Sequence, residues 1–263
     1  MRKWALILGA SSGFGAAAAR AFADEGTNII GVHLDRSSTM PDVNKLIDDI
    51  KAKGVEAKFF NVNAADAEKR TMILDDVKNN IFSEGKDTIK CLMHSLAFGT
   101  LKPYIGETAE ADLTQKQLEM TIDVMGNSIV YWSRDIVRRN LMAPGGRIFG
   151  MTSTGGHRVI YGYGAVSAAK AVLESHCRQL GMELAKFGIT ASPVQAGVTE
   201  TPAMRKIPNA NAIVEDALKR NPFDRLTTPE DVAEIIVSIT NQKGNWMNGN
   251  MIYADGGENI VEL

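Results

Sequence analysis

A short apolar run, Trp4–Leu8, passes directly into Gly9-Ala10-Ser11-Ser12-Gly13-Phe14-Gly15 and then into an alanine-rich helical stretch. A strand, a glycine turn and a helix in that order constrain the fold more than any other feature. Gly9 permits the tight turn, Gly13 lets backbone approach a pyrophosphate, and Gly15 lets the helix pack closely on the strand. The helix start then offers free N–H groups and the positive end of its dipole to phosphates. In this context the loop, with Ser11, Ser12 and Phe14 between its glycines, is predicted to bind a dinucleotide.

The rest of the chain repeats the alternation. The first helix is expected over Phe14–Glu25 with Gly26 closing it, followed by an apolar strand at Asn28–His33. Helices are predicted over Pro41–Lys53, Ala65–Ser83, Asp112–Asn140, Val166–Phe187, Ile213–Arg220 and Pro229–Thr240, the last with Pro229 at its first position and acids in its first turn. Strands are predicted over Ala57–Val62, Thr88–Met93, Gly146–Met151, Ile189–Val194 and Asn250–Ala254. Strands alternating with long helices imply right-handed βαβ crossovers. The expected fold is therefore α/β, a single Rossmann-type doubly wound parallel sheet with helices on both faces. One domain over residues 1–263 accounts for all of it. The loop-rich 197–212 segment and the helix after it make 197–220 a candidate substrate-binding lid.

Bulk properties exclude several function classes. A net charge of −2 with 23% charged residues supplies no basic field for nucleic acid or an anionic membrane. No stretch is long and apolar enough to span a bilayer, and the broken run after Arg2-Lys3 reads as a buried strand rather than a secretion signal. Cys91 and Cys177 form neither a disulfide framework nor a zinc set, and a reducing cytoplasm is the expected location. Four histidines, His33, His94, His157 and His176, show no ligand spacing, so no metal is expected. His157 reads as a surface loop residue, with a place facing the substrate as the alternative, and Met120, Met125 and Trp132 as core or interface packing. Arg205 and Lys206 read as a solvated face, or as a contact for an acidic partner.

Three residues separate the first two glycines and one separates the last two. That spacing resembles the short-chain dehydrogenase/reductase family, as do Pro229-Glu230-Asp231-Val232-Ala233, Asn248-Gly249 and Asp255-Gly256-Gly257, and the resemblance covers essentially the whole chain. Most of that family carries Tyr-x3-Lys, but counting back from Lys170 gives Val166. Tyr163 stands seven residues before the lysine instead, two helical turns away and on the same face of a continuous helix. Tyr161 is the other candidate. Tyr-x6-Lys is similar to the enoyl-[acyl-carrier-protein] reductases, and three other sites agree: His94-Ser95-Leu96-Ala97-Phe98, Asp123, and Gln195-Ala196-Gly197. Ser153 occupies the place where many enoyl reductases have a second tyrosine, which makes the divergent type III branch the best match.

The resemblance implies an NAD(P)H-dependent reduction of the C2=C3 bond of an enoyl thioester, with acyl carrier protein as partner, in fatty-acid elongation. Tyr163 would stabilise the enolate oxygen and Lys170 would hold the nicotinamide ribose. Ser153 has two readings, a donor to the thioester oxygen or a cap on local backbone. Asn61 and Val62 would flank the adenine. Ser95, Leu96, Ala97, Gly197, Val198, Thr199 and Thr201 would line the dinucleotide, and Phe98 and Gly99 would border the acyl chain. Where an acid would accept the ribose hydroxyls of NAD, the chain has His33, followed by Leu34-Asp35-Arg36. Arg36 with Ser37 suits a 2′-phosphate, so NADPH is the expected cofactor and NADH the alternative; Arg36 also reads as a solvated loop charge. The family is usually tetrameric, and a homotetramer is expected. Two other functions fit the same features: a carbonyl reductase of specialised metabolism, and a non-catalytic nucleotide-binding regulator.

Overall fold

The computed structural model describes residues 1–262. Seven strands form one sheet: β1 (Arg2–Leu8), β2 (Asn28–His33), β3 (Ala57–Asn61), β4 (Asp87–His94), β5 (Arg147–Thr152), β6 (Thr190–Ala196) and β7 (Ile252–Ala254). Their order is β3-β2-β1-β4-β5-β6-β7, and every pairing is parallel. The chain therefore leaves β1 in both directions, and a crevice opens at the carboxyl ends of β1 and β4. That is where open α/β sheets take ligands.

The helices are α1 (Gly13–Asp24), α2 (Met40–Lys51), α3 (Ala67–Asp76), α4 (Gln115–Ile122), α5 (Ser128–Arg138), α6 (Gly164–Leu184), α7 (Ala210–Arg220) and α8 (Pro229–Asn241). Residues along β1 alternate between two cores. Ala5 and Ile7 meet Ala16–Ala19 and Phe22 of α1 and Val232 and Ile236 of α8, while Trp4, Leu6 and Leu8 share a core with α3, α5 and α6. With both faces covered, the strand shows no polar alternation, as buried parallel sheets do not. Alanines on α1 let it lie close to the sheet, and Gly26 at φ +68° turns the chain after the helix ends.

Local signals place the remaining elements. The Asp66 carboxylate caps α3, and Thr114 with Gln117 and Thr228 with Asp231 form reciprocal capping boxes on α4 and α8. Two predicted helices are not continuous. The 65–83 stretch ends in a π turn at Val77–Ile81, and the 112–140 stretch is divided by another at Asp123–Asn127. The second brings Gly126 against α6, where an added Cβ would lie 3.0 Å from the Ala169 carbonyl. Periodicity records which face is apolar but not the one extra residue that widens a turn.

Candidate active site

Gly9 adopts φ +87° and Gly13 φ +51°, backbone that side chains rarely take. Packing is equally restrictive: a Cβ on Gly9 would lie 2.4 Å from the Ser95 carbonyl, and one on Gly15 would lie 2.0 Å from the Gly9 carbonyl. Ser12 precedes α1 without a side-chain cap, which leaves N–H groups of its first turn free for a ligand. Across it, Thr201 comes within 3.4 Å of where a Gly13 Cβ would stand. The 197–201 segment thus closes over the glycine loop. A narrow slot walled by the Gly9–Gly13 backbone and by Thr201 fits a dinucleotide pyrophosphate, with Ser11 and Ser12 in the same turn. Phe14 instead packs against the core, the Val198 N–H is held by Glu258, and the buried Thr199 hydroxyl donates to the Gly197 carbonyl.

Gly197 is also hemmed in, since a Cβ there would meet Thr227 Oγ1 and, at 2.9 Å, Glu258 Oε2. Glu258 is buried. Its carboxylate accepts the Val198 N–H at 2.9 Å, and the Arg220 guanidinium donates to its carbonyl at 3.1 Å. The C-terminal turn therefore ties the 197–201 segment to α7, the helix of the candidate lid. Burial raises the Glu258 carboxyl above its ordinary range, with Asp255 adding to the rise and the Val198 N–H and Arg220 opposing it. Spacing gave no hint of this latch, whose parts lie in three separate segments.

At the end of β2, His33 is buried with its Nδ1 at 2.9 Å from Asp35 Oδ2. Thr39 donates to Asp35 Oδ1 at 2.8 Å, and the Ser11 hydroxyl also interacts with this carboxylate. Burial would raise the Asp35 pKa, but these three partners outweigh it and hold the carboxyl below its ordinary value. An acid therefore does stand beside the glycine loop, two residues after the position where the sequence shows His33. The Asn61 amide is engaged by the Asp35 backbone in both directions, at 2.9 and 3.0 Å, while Val62 packs against the core behind it. Arg36 is exposed.

Helix α6 begins at Gly164, before the predicted Val166, and Tyr163 is its N-cap residue. The seven-residue spacing to Lys170 is therefore two helical turns. Tyr163 is 7% exposed and Tyr161 66% exposed, so burial separates the two candidates. The Tyr163 ring lies on Gly155, where a Cβ would come within 2.5 Å of it. Burial raises the phenol pKa, and the Ser153 hydroxyl beside it pulls the other way. Ser153 also accepts the Gly155 N–H at 3.1 Å, so it does cap local backbone while standing at the phenol. Val166 is buried and fills the space against Gly99, where a Cβ would be 2.8 Å from it. Phe98 is exposed at the mouth, and Ser95, Leu96 and Ala97 lead from β4 towards it.

Lys170 is buried and donates to the Met151 carbonyl at 2.7 Å. Burial lowers its pKa to about 8, with Glu174 and Cys177 opposing the fall. His94 is fully buried, with Nε2 at 2.7 Å from Ser128 Oγ, whose hydroxyl donates to the Val124 carbonyl. This network assigns the ring proton to Nε2 and leaves Nδ1 without a partner. Burial and the Lys170 charge push the imidazole down to about 3, so it stays neutral and structural. Asp123 accepts from the Tyr131 hydroxyl at 3.0 Å. His157 is exposed in its loop, as its sequence reading expects, and its Nε2 lies 3.2 Å from the buried Glu174 carboxylate. Among the described residues no cluster of His, Cys, Asp and Glu is arranged to hold a metal, and no helix is long and apolar enough to cross a membrane.

A family model described as "Enoyl-(Acyl carrier protein) reductase" matches residues 9–259. The enoyl-[acyl-carrier-protein] reductase [NADH] of Bacillus cereus is 25% identical over 247 residues, covering 92% of this chain and 90% of that protein. A versicolorin reductase of Emericella nidulans is 23% identical over 266 residues, covering 97% and 95%. The crystal structure of the Bacillus cereus enoyl-acyl carrier protein reductase with NADP+ and indole naphthyridinone superposes with a TM-score of 0.87 at 23% identity, covering 100% of both chains. At that identity the superposition establishes a shared fold.

Proposed function

The chain belongs to the enoyl-(acyl carrier protein) reductase family of short-chain dehydrogenase/reductases, and from that premise we propose that it reduces the C2=C3 double bond of an enoyl thioester carried on acyl carrier protein. The observation that carries this reading is the displaced phenol: Tyr163 is buried at the head of α6, two turns before Lys170, while Val166 fills the place one turn before it.

The displacement has a chemical consequence. In carbonyl reduction, hydride adds to the carbon whose oxygen the tyrosine protonates. In enoyl reduction hydride adds at C3, and negative charge develops on the thioester oxygen, two carbons away. The donor must then be aimed at a more distant atom, and a phenol moved along the helix supplies it. The bound dinucleotide supplies the hydride. Tyr163 donates to the enolate oxygen as charge develops, and a proton then reaches C2. Lys170 holds the ribose of the cofactor and adds positive field. Gly9, Gly13, Gly15 and Thr201 frame the pyrophosphate, and Phe98 and Gly99 border the acyl chain.

NADPH is the proposed cofactor, with exposed Arg36 meeting the 2′-phosphate. One observation favours NADH instead: the Asp35 carboxylate beside Ser11 would accept ribose hydroxyls and repel a phosphate. Carbonyl reduction is a second reading, favoured by Ser153 standing at the Tyr163 hydroxyl.

One assay tests all three points. Oxidation of NADH and of NADPH is followed with crotonyl and 3-oxoacyl thioesters side by side. The enoyl thioester is expected to be turned over in preference, with NADPH. A preference for the 3-oxoacyl thioester would replace the proposal with carbonyl reduction, and a preference for NADH would assign the ribose to Asp35.

A further inference from the structure

Nothing in the proposed mechanism uses Glu174, yet this residue is 3% exposed and stands one turn beyond Lys170 on α6. A buried carboxylate is costly unless partnered, and so is a buried ammonium. Lys170 has three N–H donors, of which one goes to the Met151 carbonyl. The next residue of β5, Thr152, donates to Glu174 Oε1 at 2.5 Å, so one strand end grips both charged groups. On the other side, His157 Nε2 lies 3.2 Å from Oε2. The Gly155-Gly156 pair lets the loop lie flat across the helix: Gly155 under the Tyr163 ring, and Gly156 where a Cβ would be 3.0 Å from Glu174 Oε1 and 3.5 Å from Lys170 Cβ. Gln195, the register partner of Thr152, is fully buried with both amide atoms unpartnered, so the surroundings stay polar beyond the carboxylate.

We propose that Glu174 is a positioning residue that keeps Lys170 charged in its buried socket through the field of a carboxylate one turn along α6 rather than through direct contact, with Thr152 and His157 fixing the carboxylate. This inference rests on the reading of Lys170 as the group that holds the cofactor ribose. The charged and titratable groups around the pair are few. Cys177 on α6 is pushed up to about 12 and His94 on β4 down to about 3, so both are neutral. The phenol of Tyr163 is raised by burial and also neutral. His157 on the loop is the remaining one, while the neighbouring Arg158 guanidinium reaches Asn259 of the C-terminal turn. Glu174 is therefore the larger source of negative field at Lys170, ahead of Cys177, and works against the desolvation that lowers the ammonium pKa.

The test is dinucleotide binding as a function of pH, read by quenching of intrinsic fluorescence, with no thioester present. Wild-type affinity is expected to fall as pH rises through about 8, where Lys170 loses its proton. In Glu174→Gln the same fall should occur about one pH unit lower, a tenfold change in proton affinity, with affinity at low pH retained. Lys170→Arg, which does not titrate in this range, should abolish the fall. Coincident midpoints in wild type and Glu174→Gln would overturn the proposal. Should the glutamine variant fail to fold, Glu174→Asp decides: its retracted charge should shift the midpoint in the same direction by a smaller amount, and an unshifted midpoint is the overturning result. If wild type binds neither dinucleotide, the proposed function fails, and that outcome is distinct from a failure of the Glu174 role.

Discussion

Tyr163 and Tyr161 are two residues apart, and the sequence offers both as partners for Lys170, although a continuous helix would put Tyr161 on the opposite side. Helix phase and burial separate them, because α6 starts immediately after Tyr163 and leaves Tyr161 outside it in solvent. Tyr163→Phe removes one hydroxyl from a buried, preorganised position and is expected to lower kcat for crotonyl-thioester reduction by about 100-fold or more. Dinucleotide affinity should stay within about twofold, and Tyr161→Phe should behave as wild type. Equal turnover by Tyr163→Phe and wild type would sink the assignment. At this scale the sequence exposed the phenol, the lysine, the glycines and Ser153. It did not expose the side-chain partners of Asp35, Glu174 or His157, since each depends on residues that only folding brings near.

At the scale of elements, the two walls of the proposed cofactor slot are held by different forces. The glycine loop is held by close backbone packing, in which Gly15 leaves no room for a side chain. The opposite wall is held by the Glu258–Arg220 latch between the C-terminal turn, Val198 and α7. Arg220→Ala would leave the Glu258 carboxylate buried without its guanidinium. Urea denaturation is expected to show a loss of about 3 kcal/mol, with weaker dinucleotide binding as the 197–201 segment loosens. A loss well under about 1 kcal/mol would mean that the pair contributes nothing beyond exposed ion pairs. The π turn at Asp123–Asn127 belongs to the same scale. It sets the α5 side against α6 at Gly126 and so supports the helix that carries Tyr163 and Lys170.

For the molecule as a whole, the seven-stranded sheet ends in a short strand, β7, at an open edge. Trp246 is fully exposed just before it, and Met182, Phe223 and Tyr253 are also exposed. An uncovered sheet edge beside large apolar side chains favours association. A homotetramer, with a light-scattering mass about four times the 28.5 kDa protomer, is the expected assembly. A monomer at micromolar concentration would refute it. The order of strands and helices, by contrast, was readable from the pattern of apolar runs, because a parallel sheet covered on both faces demands such runs between amphipathic helices.

The α/β architecture, the glycine loop and the spacing of Tyr163, rather than Val166, from Lys170 are all legible along the chain. These are local properties: φ at a glycine, the period of a helix, the length of an apolar run. The electrostatics of the site arise only on folding. The carboxylates of Asp35, Glu174 and Glu258 look like ordinary acids in the chain, and burial beside particular partners is what gives each a place in the site. Desolvation and pairing act through space, over distances that sequence spacing does not encode.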